Sequence, residues 1–139
     1  LRRPSRLSEV HDRDLLERLR ADWVALTVDE PEAEPAFVLL DESFHLTLAE
    51  AAGNPMLVDV LRQINERIRI VRMQDFLVPD RVDRTVREHV ALIDAVLAGD
   101  IVEAEGQLVT HIDSSVAVVE ERVTKAIARM AGVRPESNP

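Results

Sequence analysis

Four side chains able to bind a metal sit where apolar ones are expected. Asp41 falls in the series Phe37, Asp41, Phe44, Leu48, with His45 one turn further on. His89 falls in Val82, Val86, His89, Ile93, Val96, and His111 in Leu108, His111, Ser115, Val119. Spacings of three and four mark one face of a helix. A carboxylate or imidazole turned toward a core costs a few kcal/mol unless something satisfies it. A divalent metal would satisfy all four at once. Imidazole suits Zn, Ni, Fe, Mn or Co, and a carboxylate adds a harder ligand. The chain has no cysteine, so imidazole and carboxylate are the ligands to look for. The metal-free alternative is that each histidine is a core residue held by hydrogen bonds or water.

The elements that must position these groups are helices. Pro31, Pro35, Pro55 and Pro79 fall between periodic segments, and Gly53, Gly99 and Gly132 stand where helices should stop. The pattern predicts five helices: Ser8 to Leu26, Ala36 to Ala52, Asn54-Pro55 to Leu77, Asp80 to Ala98, and Gly99-Asp100 to Met130. Each carries one stripe for burial, including Val60 and Ile64 on the third and Ile112, Val116, Val123 and Ile127 on the fifth. Short connections make neighbours antiparallel. The fold class is an all-α antiparallel bundle of about five main helices with a central metal site. Residues 1–7 read as a linker or truncated first helix, 8–131 as the domain, and 132–139 as a flexible tail.

Counting from the turns gives heights in the bundle. His89 and His111 lie eleven residues to either side of Asp100, so each stands roughly 16 Å from that turn at 1.5 Å per residue. About Asn54, Asp41 and His45 pair with Arg67 and Gln63; about Pro79, His89 pairs with Arg69. All converge on one layer. Arg69 and Arg72 adjoin the Ile68/Val71 stripe, with Arg67 nearby, and a guanidinium beside a metal suits an anionic ligand held by two bonds. Asn65 and Asp113 are candidates for polar pocket lining.

Composition excludes several functions. Lys and Arg number 17 against 26 Asp and Glu, a net charge of −9, so the chain lacks the basic footprint of a nucleic-acid binder. No apolar run approaches the roughly 18–20 residues of a membrane span, and no signal-peptide core opens the chain. The reading is a cytoplasmic protein with no membrane partner.

Asp41-Glu42-Ser43-Phe44-His45 resembles the D-x-x-F-H motif of FCD domains, the effector-binding half of FadR-subfamily GntR transcription regulators. The likeness continues through Leu48-Ala49-Glu50-Ala51-Ala52-Gly53-Asn54-Pro55, then Arg87-Glu88-His89, Leu92-Ile93-Asp94-Ala95, Ala98-Gly99-Asp100 and His111. The resemblance implies a helical bundle, a metal on Asp41, His45, His89 and His111, and a small organic acid bound beside it. Arg69 and Arg72, with Arg67, Asn65 and Asp113, are then the effector-binding candidates. The metal is expected to be Zn first, with Ni, Mn or Fe as alternatives. It also implies a homodimer whose DNA contacts come from an N-terminal winged helix-turn-helix. That domain is absent from this sequence, which begins at Leu1 and is expected to be part of a longer regulator. The competing function is a helical metalloenzyme using the Asp/His3 centre, with Glu88 or Asp113 as its base; the sensor is preferred, so no catalytic residue is assigned.

Overall fold

Helix boundaries fall where capping chemistry puts them. The computed structural model describes residues 11–77 and 79–132, and these form five helices. They are α1 (Arg13–Val28), α2 (Phe37–Ala51), α3 (Pro55–Met73), α4 (Pro79–Leu97) and α5 (Ile101–Met130), with a 3-10 turn at Asp75–Leu77 before α4. No strand occurs among the described residues, and the class is all-α. The linker at 1–7, the first-helix start at Ser8 to Val10 and the tail beyond Gly132 lie outside the described residues.

Two turns share one construction. Gly53 and Gly99 both have φ 70°, left-handed backbone that a residue with a Cβ adopts only under strain. At the first, Gly53 N–H donates to Glu50 O and Asn54 N–H to Ala49 O; at the second, Gly99 donates to Val96 O and Asp100 to Ala95 O. These are Schellman closures. In each, the residue after the glycine caps the next helix: Asn54 accepts from Leu57 N–H at 3.0 Å and Asp100 from Glu103 N–H at 3.1 Å. Stopping one helix and starting the next within two residues fixes the heights of α2 against α3 and of α4 against α5.

Packing joins α2 to α3, α4 to α5, and α1 to both α4 and α2. Trp23 is the hinge of the core, edge-on to Phe37 at 6.1 Å, Phe44 at 5.3 Å and the His89 ring at 4.4 Å. Val38, Phe76, Val82, Val86, Leu92 and Ile93 complete the buried cluster.

Three expectations need correction. The first helix runs Arg13–Val28, because Asp12 supplies the N-cap by accepting from Leu15 N–H. The third helix does not reach Leu77: it ends at Met73, and the tighter 3-10 turn swings Phe76 into full burial against Phe37, ring centroids 4.8 Å apart. The stripes of α3 and α5 are largely uncovered. Leu57, Val60 and Ile64 on α3, and Ile112, Val116, Val123 and Ile127 on α5, are all exposed. Length accounts for Val123 and Ile127, since α5 has 30 residues against 19 in α4 and its far end outruns its partner; the α3 row and Ile112 and Val116 are simply left uncovered by the described elements.

Gly53→Ala isolates the turn chemistry, because an added Cβ meets nothing within 4 Å and only the positive φ opposes it. The variant should lose about 1 kcal/mol of unfolding free energy in urea, with helix content unchanged by circular dichroism.

Candidate metal centre

The layer at the middle of the bundle is built by three helices. Asp41 and His45, four residues apart on α2, project from one face; α4 supplies His89 and α5 supplies His111. His89 Nε2 lies 3.3 Å from His111 Nε2, which lies 3.3 Å from His45 Nε2. Asp41 Oδ1 is 3.2 Å from His89 Nε2 and 3.6 Å from His45 Nε2. One ligand atom from each residue falls within 4.8 Å of every other.

These separations fit a metal. Four ligands at roughly 2.0–2.1 Å around a tetrahedral ion stand roughly 3.3–3.4 Å apart. The hydrogen-bond inventory points the same way. His111 Nδ1 donates to Glu88 Oε2 at 2.6 Å, which in the neutral ring leaves the Nε2 lone pair facing the layer's centre. A carboxylate holding the far nitrogen of a ligand histidine is the recurrent outer support of metal sites. Neither Asp41 oxygen has a hydrogen bond of sound alignment, although both are buried.

Charge states also suit a cation. Burial lowers His89 to about 3, against the pull of Asp41, so its ring is neutral at pH 7. Burial likewise lowers His111 despite Glu88. Burial pushes the Asp41 carboxyl up, but the close approach of His45 and His89 and the nearby Arg72 charge outweigh it and hold it well below the usual range. Neutral imidazole and ionised carboxylate are the forms that ligate. The His89 ring is locked between Phe44, stacked at 3.7 Å, and Trp23. The described residues therefore contain an Asp/His3 group that could hold a divalent metal.

The other candidates divide by helix phase. The inner face of α3 carries Val58, Asn65 and Arg72, seven residues apart. Arg72 Nη2 sits 2.7 Å from Asp41 Oδ2, its guanidinium 5.6 Å from the Phe76 ring centre. Asn65 is buried with its amide nitrogen unpartnered. Arg69, half-exposed, grips Glu42 with Nε at 2.9 Å and Nη2 at 2.8 Å. Arg67 is exposed: two residues beyond Asn65 the helix has turned about 200°. Asp113, two beyond His111, is exposed for the same reason. Glu88 and Glu42 were not singled out as supports for His111 and Arg69. Glu88 adjoins His89 across the hairpin from His111, and that was its available signal.

A cavity of about 400 Å³ runs from His45 toward the Gly99 turn, lined by Leu48, Leu61, Leu92, Leu108 and small residues. The wall is mostly apolar, with His11, Asp100 and Glu105 also in its lining.

Comparison with known proteins gives two findings. The family model of the FCD domain matches residues 5–114, a stretch that includes all four cluster residues. Relatives in Escherichia coli (strain K12) and Shigella flexneri, each called "Putative L-lactate dehydrogenase operon regulatory protein", are 32% identical over 76 residues. That alignment covers 52% of this chain and 30% of theirs, so the chain spans under a third of these relatives. No solved structure matches.

Glu88→Gln should weaken metal binding roughly 10- to 100-fold in a competition assay with a chromophoric chelator. Chelator-treated protein should lose stability as pH falls from 6.5 toward 3, because the unfolded chain then binds protons that buried His89 refuses. Urea titrations should show about 3 kcal/mol lost between pH 6.5 and about pH 4, with the full His89 contribution present above 6.5.

Proposed function

The chain belongs to the FCD domain family, and from that premise we propose that residues 8–131 are the effector-sensing domain of a GntR-type transcription regulator. The observation that carries the reading is the convergence of four ligand atoms, from three helices, within 4.8 Å of one another. Asp41, His45, His89 and His111 would hold a divalent ion, Zn first. The bound ion would supply positive charge to which a small carboxylate effector can coordinate. Arg72, already on Asp41, and Arg69 are the cationic groups nearest to hand for such a ligand. The regulator relatives make L-lactate the first effector to try.

Sensing follows from where the ligands come from. A metal and effector that tie α2, α4 and α5 together bias whichever arrangement of these helices holds them better, and only that difference in affinity can shift the regulator. The exposed apolar rows of α3 and α5 support a homodimer. DNA contact would fall to a domain outside this sequence, in keeping with the net charge of −9. Among the described residues no helix is long and apolar enough to cross a membrane, which supports a cytoplasmic regulator. The family and its relatives belong to transcription regulation and not to catalysis. The enzymatic alternative also lacks its base, since Glu88 is engaged by His111 and Asp113 is exposed.

Purified protein should carry about one divalent metal per chain by elemental analysis, and His89→Ala and His111→Ala should lose it. L-lactate or another small carboxylate should raise the melting temperature of the metal-loaded form more than that of the chelated form. Equal metal content in native protein and both variants would reject the site.

A further inference from the structure

A second cavity, lined by charged residues, lies at the Pro79 end of the bundle. It has a volume of about 460 Å³ and is lined by four arginines, Arg81, Arg84, Arg87 and Arg122, with Asp75 among the acids. Arg81 differs from the rest. It is 7% exposed, and its Nε and Nη1 are buried with no hydrogen-bond partner. Its Nη2 makes one long bond, 3.4 Å to Ser115 Oγ, and that hydroxyl already donates to His111 O.

Most neighbouring carboxylates are committed elsewhere, although Asp80 also lines the cavity and Asp75 Oδ1 is buried without a hydrogen bond. Asp75 pairs with Arg122 at 3.4 Å, and Glu88 with His111 at 2.6 Å and Arg84 at 3.7 Å. Arg87 pairs with Asp83 at 2.8 Å, and Glu121 with Lys125 at 2.6 Å. Asp75, Glu88 and Asp41 act on Arg81 only at longer range. A guanidinium stays protonated even when buried, so this charge is left without a partner. Its fork matches two oxygens of a planar or tetrahedral oxyanion.

We propose that this cavity is a second anion site, binding a small multiply charged oxyanion through Arg81 without needing the metal. Arg122, half-buried, and the exposed Arg84 and Arg87 stand around it to add charge. The site is separate from the Asp/His3 layer, since none of the four cluster residues lines the cavity.

The test uses the native chain after chelator treatment, with malonate and inorganic phosphate as probes at constant ionic strength. At least one probe should raise the melting temperature. Arg81→Gln should weaken that response roughly tenfold or more, while His45→Ala, which leaves Glu88 on His111, should keep it. A native chain that responds to neither probe overturns the proposal, as does Arg81→Gln responding like native. A response lost in His45→Ala but kept in Arg81→Gln would assign the anion to the central layer and overturn it too. Should Arg81→Gln not melt cooperatively, the Arg81 Nε–Hε resonance of native protein decides: it shifts on adding the responding probe, or the proposal fails. Because metal is absent throughout, this outcome stands or falls apart from the metal-sensing reading.

Discussion

Asp41 is a carboxylate with no exposed surface, and four of the five helices are arranged around keeping it charged. A buried ion is costly unless paired, and removing one partner of a buried pair costs roughly 3–5 kcal/mol. Arg72 from α3 stands on one oxygen, while His45 from its own helix and His89 from α4 stand on the other. His111 from α5 closes the layer and is itself held by Glu88. The remaining helix, α1, contributes Trp23 against His89. Packing and electrostatics therefore act on the same rings. A change that loosens Trp23 or Phe44 also frees the His89 ring that must face Asp41.

This arrangement is compatible with the proposed anionic effector despite the acidic chain. The net charge of −9 belongs to the surface. Within the bundle, Asp41 is already offset by Arg72, so a divalent ion would leave the layer positive. The three histidines come from three helices, so an effector on an ion held there would act on relative helix positions and not on a single loop. That is the mechanical requirement for a sensing domain, and it agrees with membership of the FCD family.

Much of the fold was legible because its punctuation is chemical. Gly53-Asn54 and Gly99-Asp100 each combine a left-handed stop with a capping start, so helix limits and heights follow from residue type. The four cluster residues were visible because polar groups broke apolar stripes. Height alone misjudged Arg67, which shares the layer's level but turns outward, whereas Asn65 and Arg72 share the inner phase. Periodicity also identifies an apolar face without saying whether another element covers it. That is why Val60, Ile64, Ile112 and Val116 were expected inside and are found exposed. The support that Glu88 gives His111, and the burial of Arg81, escaped notice because charged residues on a helix ordinarily face water, and only three-dimensional neighbours reveal otherwise.

In the proposed function one ion would join α2, α4 and α5 through an Asp/His3 shell. X-ray absorption at the edge of the metal carried by the protein tests it most directly. The expected result is the multiple-scattering signature of about three imidazoles, with an additional oxygen ligand, at about 2.0–2.1 Å for zinc. A shell of oxygen ligands alone, or scattering from a single imidazole, would contradict it.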